Sequence, residues 1–299
     1  MSARGQPKGA PAARRAAEES PSTAPVVTSA QARVAQRRRR GGRWHHALHA
    51  WCALVFAFLM APLLIVFPIS LSSSAYLQFP PPGWSWRWYE AYFADATWMD
   101  ATWRSLEVAT CTTLLATVLG TMLAFSLVRG RYPGKAMLNQ ASLLPLVVPV
   151  IVYSIAVYAM FGQLKLIGMW QAIVLGHSVL AIPFVVIVVG AALRTFDVAQ
   201  EHAAMSLGAN RATAIWRITL PQLRPALISA AFLAFISSFD ELVVAMFLGG
   251  SNMTLPKKMF DNIVNEIDPT IAAVSVVQIL LVTLVLLIVS KLGTGAVAR

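Results

Sequence analysis

The stretch WQAIVLGHSVLAIPFVVIVVGAAL, residues 170–193, carries no charged residue over its whole length. A helix rises 1.5 Å per residue, so about 20 apolar residues are enough to cross the hydrocarbon core of a bilayer. The stretch therefore predicts a membrane-spanning helix, and it defines the kind of segment to look for in the rest of the chain.

Five further apolar runs of similar length flank this stretch, at residues 47–71, 105–128, 136–160, 226–248 and 271–292. The composition agrees, because 57% of the residues are hydrophobic and only 12% are charged, against about 45–50% and about 25% in an ordinary soluble domain. These figures exclude a soluble globular enzyme and also exclude disorder of the whole chain. We predict an all-α, polytopic membrane protein whose six transmembrane helices lie within residues 47–299.

The net charge of +11 would suggest nucleic acid if the protein were soluble. Of the 24 Lys and Arg residues, however, 19 fall on the side of the six spans that carries both termini, and 5 fall on the other side. The positive-inside rule therefore places both termini in the cytoplasm. The charge indicates topology and contact with anionic lipid, and we predict no nucleic-acid partner.

Residues 1–46 precede the first span and are rich in Ala, Arg, Pro and Ser, without a helical period until their end. This composition predicts a disordered, basic cytoplasmic tail, to be separated from the membrane domain at residues 47–299.

The loop at residues 194–225 lies between the fourth and fifth spans and is the longest on the cytoplasmic side apart from the tail. Helix-forming residues run to Leu207, and Gly208 follows where a left-handed residue commonly stops a helix. Asn210 is then a suitable cap for a second short helix, which Pro221 would end. The pattern predicts a helical hairpin that either enters a groove of a soluble partner or covers the end of the bundle.

Residues 201–221 of this loop read EHAAMSLGANRATAIWRITLP. They resemble the signature loop of binding-protein-dependent ABC importer permeases, which is E-A-A, three residues, G, nine residues, then I-x-L-P. The positions that match are Ala203, Ala204, Gly208, Ile218, Leu220 and Pro221. Two positions depart from the pattern, since His202 occupies the glutamate position, with Glu201 one residue earlier, and Ser206 stands where aspartate is common.

This resemblance implies the type I ABC importer permease fold in a bacterial inner membrane, with the loop as a coupling helix that docks on a cytoplasmic ATPase dimer. Glu201, His202 and the matching residues would make this contact. Either Glu201 replaces the family's acidic contact from the next position, or the ATPase tolerates a neutral group there. The chain has no G-x-x-x-x-G-K-[ST] sequence, so ATP and Mg²⁺ are expected in the ATPase and no cofactor in this chain. A second permease subunit and an extracytoplasmic solute-binding protein are also implied.

Three shorter stretches are similar to the second permease subunit of spermidine/putrescine importers. They are FPPPGWSWRWY at residues 79–89, SFDELVV at 238–244 and TLPKKM at 254–259. The resemblance implies a small cationic solute such as a polyamine, with another small solute as the alternative.

Asp240 and Glu241 fall inside the predicted fifth span, past its midpoint. Ionisable groups in a membrane are costly unless they face a pathway, water or a partner, so these two are the candidate substrate-pathway residues. Adjacent residues point about 100° apart on a helix, so at most one of them faces a central pathway. The competing interpretation is a bond between helices or a gate at the subunit interface.

Pro145 and Pro149 in the third span and Pro183 in the fourth predict kinked helices. No Cys/His set, Ser-His-Asp order or glycine-rich nucleotide loop predicts a catalytic or metal site. Two rivals remain at this point, a secondary transporter or channel that acts alone and a membrane scaffold without transport.

Overall fold

The computed structural model describes residues 29–265 and 268–294, and these are helical apart from short connections and one isolated β-bridge between Ser72 and Trp84. Twelve α-helices occur in the described ranges. In chain order they are α1 (Ser29–Ser70), α2 (Arg87–Ala94), α3 (Ala96–Arg129), α4 (Lys135–Leu143), α5 (Val150–Gln163), α6 (Trp170–Thr195), α7 (Ala199–Ser206), α8 (Arg211–Ala214), α9 (Leu220–Phe239), α10 (Val243–Leu248), α11 (Leu255–Asn265) and α12 (Thr270–Thr294). The all-α prediction is confirmed for this part of the chain.

Five of the helices are long and apolar enough to cross a membrane, and a bent pair of helices makes up to six spans. The bent pair, Lys135–Leu146 and Val150–Gln163, meets at 105°. The predicted third span is therefore broken rather than kinked. Pro149 stands at the N-cap of α5, where it has no N–H to continue the preceding helix.

The chain divides into two compact units, Met1–Ala61 and Pro62–Arg299. The described residues of the first unit form the beginning of α1, which starts at Ser29. This helix begins within the predicted disordered tail, because residues 29–46 contain several Ala, Gln and Arg residues with high helix propensity. The remainder of the predicted tail lies outside the described residues.

The fifth span also differs from its prediction at residues 226–248, because it runs as one helical stretch over Arg211–Phe239. Pro221 does not end a helix but stands in the first turn of α9. Before it, Ile215–Thr219 form a π-helical segment. A proline leaves the carbonyl four residues earlier without its usual donor, and a π-helical turn is one way to continue a helix past such a position.

The core of the second unit lies where α3, α6 and α9 pack together. Small side chains dominate this contact, among them Ala116, Ala181 and Ala230, each fully buried. A side chain at Gly120 would come within 2.7 Å of the Val185 Cβ, so glycine is required where α3 meets α6. Such small residues let membrane helices approach closely, and this packing holds the helices that position the functional site.

The segment from the end of α1 to the first turns of α3 combines buried and exposed aromatic rings. Tyr92 and Trp98 are buried, whereas Trp84, Trp86 and Trp103 are largely exposed. The Tyr92 hydroxyl shares a 2.7 Å hydrogen bond with Thr102 Oγ1, which ties α2 to α3. The segment is therefore a folded surface layer with several exposed indole rings.

Candidate functional site

The predicted helical hairpin is present. This hairpin consists of α7, the turn at Gly208 and α8. At the end of α7 the Ala209 N–H donates to the Ala204 carbonyl over 3.1 Å and the Gly208 N–H donates to the Met205 carbonyl over 3.0 Å. This is a Schellman motif, and Gly208 takes the required left-handed conformation, with φ +94°. Asn210 caps α8 by accepting a 2.8 Å hydrogen bond from the Thr213 N–H. Both local predictions for this loop are confirmed.

Apolar side chains stand exposed at the tip and flank of the hairpin. Leu207, next to the turn, is 90% exposed, and Trp216 is 72% exposed. His202 is also exposed. An apolar side chain that projects so far from the chain gains nothing from its own fold, so this end of the hairpin is suited to a protein partner.

Glu201, in contrast, faces inwards and is only 4% exposed. One nitrogen of Arg129, at the end of α3, donates to both carboxylate oxygens over 2.5 and 2.6 Å. The Thr219 hydroxyl donates to the same carboxylate from the π-helical segment. Glu201 is thus bonded within this chain, and its contact with an ATPase stays a prediction. Its neighbour His202 lies about 100° further round α7 and takes the outward direction instead.

Electrostatics keep the Glu201 carboxylate ionised. Burial raises its pKa, but the hydrogen bonds from Arg129 and Thr219 and the charge of Arg129 outweigh that effect, and the pKa lies below the usual glutamate range. The Arg129 guanidinium also lies over the rings of Phe125 and Phe196, 5.4 Å from each centroid. A buried ion pair with such partners is a fixed structural element of the protein.

The remaining predicted coupling residues lie along the same hairpin and the start of α9. Ala203 and Pro221 are exposed, whereas Ala204, Ile218 and Leu220 are half-buried. Beside them a cavity of about 1050 Å³ opens between the hairpin and the end of α3. Its lining is basic, with Arg131, Lys135 and Arg211 in addition to the Arg129–Glu201 pair.

The second predicted site lies at a break between helices, not on a continuous helix. The last helical residue of α9 is Phe239, and α10 begins at Val243. The Glu241 carboxylate accepts hydrogen bonds from the Val243 N–H over 3.0 Å and the Val244 N–H over 2.8 Å. Glu241 therefore caps α10, and the argument from a spacing of 100° between two helical neighbours does not apply here.

Asp240 points elsewhere, into a groove of about 360 Å³ between α9 and α12. The other residues of this chain leave Asp240 exposed, although it directly follows a membrane-spanning helix. Polar side chains of α12 line the groove opposite it, namely Ser275, Gln278 and Thr283. The structure thus separates the two carboxylates, since Glu241 caps α10 and Asp240 lies in a groove with both apolar and polar side chains.

His177 in α6 is buried beside the break between α9 and α10. The sequence pattern did not assign His177 to this site. Its Nδ1 lies 2.9 Å from Ser238 Oγ, and its Nε2 lies 3.2 Å from Glu241 Oε2. The ring is only 2% exposed. A histidine within an apolar run indicates a buried polar contact. The sequence could not identify its partners, because they lie about 60 residues away in the chain. Among the described residues no group of three or more His, Cys, Asp or Glu side chains is arranged to hold a metal ion.

The spanning bundle and its exposed hairpin define a class of protein, the membrane subunits through which a solute passes and on which a soluble partner acts. The chain belongs to the family of binding-protein-dependent transport system inner membrane components, whose signature matches residues 116–299. It is accordingly a multi-pass transport permease of the inner membrane.

Two curated relatives are similar over most of the chain. The spermidine/putrescine transport system permease protein PotC of Haemophilus influenzae is 31% identical over 248 residues, which are 82% of this chain and 95% of that protein. The putrescine transport system permease protein PotI of Escherichia coli K12 is 36% identical over 230 residues, 74% of this chain and 82% of that protein. The resemblance to the permease family is therefore confirmed.

A solved structure supports the fold. A crystal structure of a bacterial ABC transporter that imports the acidic polysaccharide alginate matches with a TM-score of 0.65 and covers 84% of this chain and 97% of that chain. The sequence identity is 18%, so this comparison speaks for the shared fold alone.

Proposed function

We propose that this permease forms half of the translocation pathway of an ATP-driven importer for a small cationic solute of the polyamine class. The observation that carries the proposal is the pairing of an exposed hairpin tip with a carboxylate in a groove that also holds three polar side chains of α12. The exposed tip suits contact with a soluble ATPase, and the Asp240 carboxylate suits a cationic solute. The names of the two relatives, a spermidine/putrescine permease and a putrescine permease, support the same class of solute.

The orientation in this proposal has both termini and the hairpin in the cytoplasm, in keeping with 19 basic residues on that side against 5 on the other. An ATPase dimer binds Mg²⁺ and ATP and receives the hairpin. A solute-binding protein docks on the opposite face, near the exposed rings of Trp84, Trp86 and Trp103. A second permease, identical or different, completes the pathway.

Transport then follows alternating access. Closure of the ATPase dimer displaces the hairpin, and the broken third span and the break at Asp240 let the helices shift against the partner permease. Asp240 offers a negative charge in the groove, where a protonated amine has lost much of its water. Glu241 holds the start of α10, so that Asp240 keeps its direction.

The test is uptake into vesicles that contain this chain, its second permease and its ATPase, with the binding protein added outside. Labelled spermidine or putrescine is expected to accumulate only when ATP is enclosed. Uptake driven by an ion gradient without the ATPase would establish the secondary transporter instead, and the absence of any flux would refute a transport role. Calorimetry of the binding protein tests the solute separately, because a failure to bind polyamines would refute that solute class.

A first prediction concerns the tip of the hairpin. Leu207→Ser is expected to weaken binding of the ATPase by roughly 10- to 100-fold, since burying a leucine side chain is worth about 1.5–3 kcal/mol. Binding of the purified ATPase to the reconstituted permease measures the effect.

Leu77→Ser is the matched control, because Leu77 is also exposed but lies in the segment between α1 and α2. This variant should bind the ATPase as the unaltered protein does. Equal binding by the Leu207→Ser variant would show that the tip does not dock.

A further inference from the structure

Three side chains from three separate elements meet in a buried cluster beneath the hairpin. Arg129 ends α3, Glu201 belongs to α7, and Thr219 closes the π-helical segment that leads into α9. The Arg129 and Glu201 side chains are 72 residues apart in the chain, and both oxygens of the carboxylate engage the arginine. Among the ion pairs of the described residues, this pair alone joins the hairpin to a spanning helix.

Burial makes this cluster costly to open. Thr219 is fully buried, and the side chains of Arg129 and Glu201 are 12% and 6% exposed. The Nε and Nη2 atoms of Arg129 have no hydrogen-bond partner in the described structure, so Glu201 supplies the only carboxylate in contact with this guanidinium. Removal of one partner from a buried ion pair leaves an uncompensated charge and is strongly destabilising. We therefore expect the two side chains to remain paired when α7 moves.

The cluster also connects elements that are otherwise packed against each other in the core. The body of α3 packs against α6 and α9 through small residues such as Ala116, Ala181 and Ala230. The π-helical segment lies directly before α9, and such segments often mark functional positions in helices. A displacement of α7 therefore reaches the end of α3 and the start of α9 through one carboxylate, in addition to the continuous backbone from α8 into α9.

We propose that Arg129, Glu201 and Thr219 form a clasp that transmits movement of the hairpin to α3 and α9. The inference deepens the proposed function and rests on it. The three are positioning residues, because they act through the spanning helices and do not themselves contact the ATPase or the solute. The sequence motif predicts that Glu201 contacts the ATPase. Its burial favours instead a role in linking α7 to α3 and α9.

The experiment compares the number of solute molecules taken up per ATP hydrolysed in reconstituted transporters. Glu201→Gln is expected to retain the ATPase subunit and its hydrolysis, and to lower the transport ratio at least fivefold. Thr219→Val keeps the size of the side chain and the ion pair but removes the hydroxyl donor, and a smaller decrease in the same ratio is expected. Glu201→Asp, which keeps the charge, should recover part of the ratio.

Glu107→Gln is the matched control. It breaks a 2.6 Å ion pair with Arg104 that lies within α3 alone and is partly exposed, so the transport ratio should not change. If the Glu201→Gln complex does not assemble, the Thr219→Val variant decides the matter. An unchanged ratio in whichever of the two assembles would overturn the clasp while leaving the proposed function intact. Absence of ATP-driven uptake by the unaltered transporter would instead refute the proposed function and the clasp with it.

Discussion

Gly208→Val is expected to lower ATP-driven uptake strongly, by about 5-fold or more. Gly208 stands at φ +94° in the turn of the hairpin, a conformation that glycine adopts without strain and a β-branched residue avoids. Such strain costs about 1–3 kcal/mol, which lowers the population of the docked turn about 5- to 150-fold. The reason is backbone conformation and not crowding, because no atom lies within 4 Å of the position that a Cβ would take.

The measurement is uptake by reconstituted vesicles together with ATP hydrolysis, which should continue without transport. Gly134→Val is the matched control, since Gly134 has φ +81° and equally open surroundings but lies at the start of α4, outside the hairpin. Normal coupling in the Gly208→Val variant would contradict the assignment of the hairpin as the coupling element.

Asp240→Asn is expected to lower uptake of a cationic solute at least tenfold while leaving the amount of folded protein unchanged. The substitution keeps the size of the side chain and removes its charge from the groove beside Ser275 and Gln278. Two opposite charges 4 Å apart interact by about 4 kcal/mol near a protein surface. A loss of only about 1.4 kcal/mol from the transition state for passage accounts for a tenfold lower rate.

Initial uptake rates at several solute concentrations measure this effect. Asp261→Asn on α11, outside the candidate spans, serves as the control and should transport normally. Glu241→Gln provides a contrast, because that carboxylate caps α10 and its loss should reduce the yield of folded protein. Uptake by the Asp240→Asn variant at the unaltered rate would remove Asp240 from the pathway.

The hairpin was predicted in detail because its signals are local. A glycine that stops one helix and an asparagine that caps the next act on backbone groups two to five residues away. The order of helix, turn and short helix followed from these residues alone. The end of the second helix was misplaced because Pro221 sits in the first turn of a longer helix, where the lack of an N–H is tolerated.

The roles of the acidic residues were predicted less well. The burial of Glu201 was not predicted, and Asp240 and Glu241 were placed on one continuous helix. Each error has the same origin, because the direction of a side chain and the end of a helix depend on groups far away in the chain. Arg129, which holds Glu201 inwards, and His177, which lies beside Glu241, belong to other spans.

The sequence by itself determined that this protein is an all-helical membrane protein, since the length of an apolar run is a local property that can be compared directly with the thickness of a bilayer. The resemblance of residues 201–221 to the permease family added the function. It also determined the hairpin and its glycine turn. Only the tertiary structure decided that Glu201 is an internal link, that Glu241 is a cap and that Asp240 faces a groove. The physical reason is that the direction of a side chain and the end of a helix depend on partners from other helices, here Arg129 for Glu201 and His177 for Glu241.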